Sequence, residues 1–230
     1  MTLTLITGGN KGLGYEAARR LIAIGHTVYI GARNADLGKK AAEELGARFV
    51  QLDVTDENSV NAAAAEIMTN EGRLDVLINN AGIAGGHSKP EELTADDTRR
   101  VYETNVFGIV RVTHAFLPLL RKSEAPVIVN VSSGLGSFGM VTDPEKIESK
   151  VNALAYCSSK SAVTMLTVQY AKGLPDIRIN AVDPGATKTD LTGHGHQTVE
   201  EGTDAIVRMA TIGKEGPTGT FTDRNGEVPW

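Results

Sequence analysis

Short apolar runs alternate with longer stretches of 3.6-residue periodicity along the whole chain. The runs lie near residues 2–7, 26–31, 48–52, 74–79, 126–131, 177–182 and 219–222, and predict strands. Helical patterns are predicted near 12–24, 35–45, 57–70, 95–121, 152–171 and 198–212. Leu74-Asp75-Val76-Leu77-Ile78 and Val127-Ile128-Val129-Asn130-Val131 have the composition of central parallel strands, buried on both faces. This alternation, with right-handed crossovers, predicts an α/β fold: a doubly wound, seven-stranded parallel sheet in the order 3-2-1-4-5-6-7, with helices on both faces. No composition shift, internal repeat or low-complexity tract interrupts it. Residues 1–230 are therefore expected to form a single domain. Ligands of such sheets bind beyond the carboxyl ends of the strands, so the informative residues are those just after each one.

The first such place is the richest. Thr7-Gly8-Gly9-Asn10-Lys11-Gly12-Leu13-Gly14 joins the first strand to the first helix, and Gly12-Leu13-Gly14-Tyr15-Glu16-Ala17 fits the dinucleotide-binding fingerprint of a Rossmann unit. Backbone N–H groups and the positive end of a helix dipole there suit a pyrophosphate. An NAD site usually has an acid at the end of the second strand, on the ribose 2′-hydroxyl. Here that strand ends Gly31-Ala32-Arg33. Ala32 leaves room for a 2′-phosphate, Arg33 offers a planar fork of donors, and Lys11 offers a second cation. The expected cofactor is NADP(H).

Composition narrows the setting. At 230 residues and 41% hydrophobic, the chain is long enough to bury a full core. A net charge of −5 argues against nucleic acid or an anionic membrane as partner. The first strand follows directly on Met1, which leaves no room for a signal peptide, and no run reaches the roughly 18 apolar residues of a membrane span. Cys157 is the single cysteine, so no intrachain disulfide forms and a reducing cytoplasm is expected. His194 and His196 have no third ligand nearby, and no metal is expected.

Further motifs follow later strands. Asp53, after the third, is placed to accept a hydrogen bond from an adenine amino group. Asn79-Asn80-Ala81-Gly82, after the fourth, makes a turn that bonds the backbone and lets adenosine lie close. Ser132-Ser133-Gly134 follows the fifth. Beyond it, Tyr156 and Lys160 are four apart and share one helix face. A free tyrosine, with a pKa of about 10, is a poor proton shuttle near neutrality, and a neighbouring ammonium is expected to lower it.

Taken in order, Thr7-Gly8-x-x-x-Gly12-x-Gly14, Asn79-Asn80-Ala81-Gly82, Asn105, Ser133, Tyr156-x-x-x-Lys160 and Pro184-Gly185 resemble the short-chain dehydrogenase/reductase family. Gly9-Asn10-Lys11-Gly12, Gly219-Thr220-Phe221 and Trp230 are similar to its carbonyl-reductase branch. The resemblance implies an NADPH-dependent reductase of ketones, aldehydes or quinones. Its catalytic residues are implied to be Asn105, Ser133, Tyr156 and Lys160. Tyr156 is implied to protonate the substrate oxygen. Lys160 lowers the tyrosine's pKa and holds the nicotinamide ribose, Ser133 binds the same oxygen, and Asn105 fixes a water. The implied cofactor residues are Thr7, Gly8, Asn10, Lys11, Gly12, Leu13 and Gly14, then Arg33, Asp53, Val54, Asn80, Ala81 and Gly82. Tyr156, Lys160, Pro184, Gly185, Thr187 and Thr189 complete them, the last four as a nicotinamide clamp that favours pro-S hydride transfer. An alcohol dehydrogenase running the oxidative direction, or a non-catalytic NADP(H) sensor, is the alternative. Sensors commonly lose the tyrosine or the lysine, and both stand here.

Two departures from the pattern matter. Ser133 and Tyr156 are 23 positions apart, more than in the commonest members, and the inserted segment around Asp143–Lys150 is charged. It is expected to obstruct the family's usual tetramer and leave a monomer or weak homodimer. The substrate lid near 190–197 is short, polar and interrupted by glycine, which suits an open, permissive cleft. Phe138, Met140 and Val141 are expected on the apolar side of the pocket.

Overall fold

The computed structural model describes residues 1–86, 89–193 and 195–230, so His194 lies outside the described residues. The strands are β1 (Leu3–Thr7), β2 (Thr27–Ala32), β3 (Arg48–Gln51), β4 (Val76–Asn79), β5 (Val127–Val131), β6 (Arg178–Val182) and β7 (Phe221–Thr222). They form one sheet in the order β3-β2-β1-β4-β5-β6-β7, with every neighbouring pair parallel. This is the expected doubly wound order. The order of winding reverses between β1 and β4, where such sheets open a crevice at their carboxyl end.

Alternation along each strand builds two cores. Leu3 and Leu5 of β1, Leu77 of β4 and Ile128 of β5 face one side, against Val60, Ile67, Val112 and Phe116. These come from α3 (Glu57–Glu71) and α5 (Gly108–Leu120). Ile6, Val76, Ile78, Val127 and Val129 face the other, against Ala17, Ala18 and Leu21 of α1 (Gly12–Ala23) and Ala41 and Ala42 of α2 (Ala35–Leu45). Small alanines on the near faces of α1 and α2 let both helices lie close to the sheet.

Two predicted helices are broken. The segment 95–121 divides into α4 (Ala95–Tyr102), a π turn (Glu103–Phe107) and α5. Asn105 sits in that turn, with every polar atom of its amide engaged. Its Nδ2 donates to the Ile83 carbonyl at 2.9 Å and to Ser159 Oγ at 3.0 Å, and its Oδ1 accepts from the Ile83 N–H at 2.9 Å. Such inserted turns within helices recur at functional sites. The segment 198–212 divides into α8 (Val199–Gly202) and α9 (Asp204–Ala210). At the break, Thr203 Oγ1 bonds back to the carbonyls of Val199 and Glu200 at 2.9 and 2.8 Å. Arg20 of α1 reaches Asp204 Oδ1 at 2.9 Å. The remaining helices are α6 (Phe138–Val141) and α7 (Leu154–Gly173). Among the described residues, no helix is long and apolar enough to cross a membrane.

Candidate active site

Thr7 and Asn80 stitch the glycine turn to the end of β4. Thr7 is 1% exposed, and its Oγ1 accepts from the backbone N–H groups of Asn80 and Ala81, both at 3.0 Å. Asn80 Nδ2 donates to the carbonyls of Thr7 and Gly8 at 2.9 and 3.2 Å. A Cβ on Gly14 would lie 2.6 Å from that Nδ2, so only glycine lets α1 start so close to β4. Thr7→Val keeps the shape and orphans the part-buried Ala81 N–H, while the Asn80 N–H keeps the Ile78 carbonyl at 3.1 Å. The substitution is expected to cost about 1–3 kcal/mol in denaturant unfolding and to weaken cofactor binding.

The start of α1 differs from its neighbours. Asn34, Asp56 and Thr94 cap α2, α3 and α4 with side-chain hydrogen bonds. Lys11, at the same position of α1, makes none, and the first turn of α1 has no acidic residue. Its N–H groups therefore keep their capacity for an anion. Gly12 has φ 57°, and a Cβ there would meet nothing nearer than Thr189 at 3.8 Å, across open space.

That space belongs to a cavity of about 390 Å³. Gly8, Asn10, Lys11, Gly12, Leu13, Arg33, Asp53, Val54, Asn80, Ala81 and Gly82 line one part of it. Ser133, Tyr156, Lys160, Pro184, Gly185, Thr187 and Thr189 line the rest. Three of the residues singled out from sequence, Thr7, Gly14 and Asn105, are not lining residues, and act from behind the wall. Phe138, Met140 and Val141 do not line it either. The carbonyls of Pro229 and Trp230 hold their helix from outside, accepting from Ser137 Oγ at 2.5 Å and the Gly139 N–H at 2.7 Å. Leu52, Ile83 and Thr104, unremarked in the sequence, do line the cavity, as does Leu191 of the expected lid.

Lys11 and Asp53, both expected at the cofactor, have protein partners here. Lys11 Nζ pairs with Asp190 Oδ2 at 3.1 Å, across the cleft and onto the lid. Asp53 Oδ1 accepts from both the N–H and the hydroxyl of Thr55, at 2.9 and 2.8 Å. Arg33 is exposed, and among the described residues its guanidinium has no carboxylate partner.

The chemistry-bearing end lies on α7 and the loop after β5. Lys160 is buried, donates from Nζ to the Val131 carbonyl at 2.7 Å, and stands 5.6 Å from the centroid of the Tyr156 ring. Ser132 Oγ bonds to the Lys160 carbonyl at 3.1 Å, which leaves Ser133 as the hydroxyl beside the tyrosine. The electrostatics correct one expectation. Burial pushes the Tyr156 phenol up to about 12, against a downward pull from Ser133, with Asp183 adding to the rise. Burial lowers Lys160 to about 8, and Asp183 opposes that fall. Desolvation of both groups outweighs the attraction that was expected to bring the phenol down. Asp183 had drawn no notice, because an acid ahead of Pro184-Gly185 reads as an ordinary turn residue.

The sequence model of the family described as short chain dehydrogenase matches residues 2–200. The chain belongs to the short-chain dehydrogenase/reductase family. Salutaridine reductase of Papaver bracteatum is 31% identical to this family member, over 97% of this chain and 94% of its own length. Among solved structures, an NADPH-bound carbonyl reductase from chicken fatty liver is 29% identical, covers 100% of both chains and superposes with a TM-score of 0.87. A 3-ketoacyl-(acyl-carrier-protein) reductase from Brucella melitensis, complexed with NADH, is 25% identical over 96% of each chain, with a TM-score of 0.84. Of these two neighbours, one holds NADPH and the other NADH. In this short-chain dehydrogenase, the capless helix and the open space at Gly12 fit a nicotinamide dinucleotide.

Proposed function

We propose that this short-chain dehydrogenase is an NADPH-dependent reductase that converts a ketone, aldehyde or quinone carbonyl to the alcohol. The observation that carries the reading is one cavity holding Ser133, Tyr156 and Lys160 at one end and an uncapped helix N-terminus with Arg33 at the other. Bound there, NADPH supplies the hydride. The α1 N-terminus and the glycine turn hold the pyrophosphate, Arg33 and Lys11 the 2′-phosphate, and Thr187 and Thr189 the carboxamide. To reach the phosphate, Lys11 would leave Asp190. Ser133 holds the substrate oxygen and stabilises its developing negative charge. Tyr156 donates its proton to that oxygen, and the Lys160 ammonium stabilises the phenolate left behind. Asn105 keeps the loop at Ile83 and the Ser159 face of α7 together. The short, polar, glycine-interrupted lid favours a permissive site. The inserted segment before Tyr156 favours a monomer or weak homodimer in a reducing cytoplasm.

The two titrations set a direction. A phenol with its pKa near 12 stays protonated throughout the working range, so its proton is in place for the substrate oxygen. Lys160 loses its charge as pH rises through about 8. Turnover in reduction is therefore expected to be level below that pH and to decline above it. Oxidation of the alcohol should rise with pH. Initial rates in both directions from pH 5 to 10 check this, and a reduction rate that climbs through pH 9 contradicts it. The reading itself is tested by cofactor consumption across quinones, diketones, aromatic aldehydes and cyclic ketones. NADPH oxidation matched by alcohol is the expected result. Binding of NADPH without turnover on any of them would count against it.

A further inference from the structure

The π turn that carries Asn105 also sets up an ion pair that the roles given above do not use. Two α turns take roughly 7.2 residues, so Glu103 and Arg111, eight positions apart, would fall off one face of an unbroken helix. The wider turn over Glu103–Phe107 absorbs the difference. Arg111 Nη2 donates to Glu103 Oε1 at 2.7 Å. Its Nη1 donates to the Val54 carbonyl at 2.5 Å, 57 positions back in the chain. Among the described residues, no other donor reaches that carbonyl. The Arg111 side chain is only 20% exposed. Val54 is buried, and with Asp53 and Thr55 beside it lines the cavity. Gly108, at the start of α5, closes the fit: a Cβ there would lie 3.0 Å from Val54 Cγ2 and 3.1 Å from its Cβ. The other bonds of this wall are local. The Asp53 N–H donates to Ser59 Oγ of α3 at 2.9 Å, and Asp53 Oδ1 accepts from Thr55. Arg111 is therefore the polar tie between this wall and the helices behind it.

We propose that Arg111 is a positioning residue for the cofactor: its guanidinium, held by Glu103, fixes the Val54 carbonyl and with it the cavity wall that receives the adenosine half. The two bonds select arginine. A planar fork serves a carboxylate with one nitrogen and a carbonyl with the other, whereas a lysine ammonium is a point charge on a flexible stem. Without the guanidinium the Val54 carbonyl loses its donor, and the wall shifts to find water. The effect belongs to the adenosine end, because Arg111 makes no hydrogen bond to α7 or to the loop after β5. The inference rests on the reading of the cavity as a dinucleotide site with adenosine at Asp53 and Val54.

The test is calorimetric binding of adenosine 2′,5′-bisphosphate and of NADPH to wild type, Arg111→Met, Arg111→Lys and Glu103→Gln, with kcat at saturating NADPH measured alongside. Arg111→Met is expected to weaken the bisphosphate about tenfold, in line with one lost charge-assisted hydrogen bond. NADPH should weaken by a similar factor, with kcat no lower than wild type. Arg111→Lys is expected to recover part of the loss. Glu103→Gln keeps the arginine but loosens it; it should cost about threefold, and stands in if Arg111→Met does not fold. Unchanged bisphosphate affinity in a folded variant, beside a wild type that binds it, overturns the proposal and leaves the cofactor reading intact. A fall in kcat together with affinity, with neither restored by lysine, overturns it as well, because the arginine would then serve the fold as a whole. If wild type binds both ligands but turns over no carbonyl, the reductase reading fails and the binding data alone decide this proposal. A wild type that binds neither defeats the reading of the cavity, and this proposal with it.

Discussion

Tyr156→Phe is expected to lower turnover in carbonyl reduction by about 10²–10⁴-fold, the range for loss of a general acid. The substitution removes one oxygen and keeps the ring that stands 5.6 Å from Lys160 Nζ. Packing of α7, thermal stability and NADPH affinity should therefore change little. The loss belongs in kcat. Ser133 still binds the carbonyl oxygen, so KM for the ketone should rise only modestly, and residual activity should reflect proton delivery from water. Steady-state kinetics at pH 7, with a melting curve for each protein, check this. A variant within threefold of wild type would remove Tyr156 from the chemistry.

Cofactor preference is the second large effect. Ala32→Asp with Arg33→Ser puts a carboxylate where a ribose 2′-hydroxyl would be bound, and removes the exposed fork of donors after β2. Hydrogen bonds to charged groups are worth about 1.5–3 kcal/mol, and a carboxylate facing a phosphate adds repulsion. The ratio of kcat/KM for NADPH over NADH is expected to fall by about 10²-fold or more. Lys11 limits the change, because it stays in the glycine turn with Asp190 as its partner. An unchanged ratio would mean that Ala32 and Arg33 do not meet the 2′-phosphate.

The strand order and the glycine turn were legible because each rests on a local rule. Apolar runs such as Val127–Val131 mark central strands, and the alternation of strand and helix sets the order. The breaks at Asn105 and Thr203 were not legible, since helical periodicity runs across both. The first depends on Ile83, 22 positions away, and on Ser159, 54 away. The same limit applies to the site. Residue types at fixed spacing pointed to Ser133, Tyr156 and Lys160. Pairing outlines which partners a side chain can have, but burial is a property of the folded whole. The height of the Tyr156 pKa and the place of Asp183 emerge only when β6, α7 and the loop after β5 meet. Phe138 and Met140 were misplaced for a related reason: their helix is held by Pro229 and Trp230, ninety residues downstream and invisible to any local pattern.

The most direct measurement follows the hydride. With NADPH deuterated at the pro-S position of C4, the alcohol formed from a ketone is expected to carry one deuterium on its carbinol carbon. With the pro-R label it should carry none, and neither product should take deuterium at that carbon from heavy water. An unlabelled alcohol from both labelled cofactors, or label arriving from solvent, would contradict direct hydride transfer in this cavity.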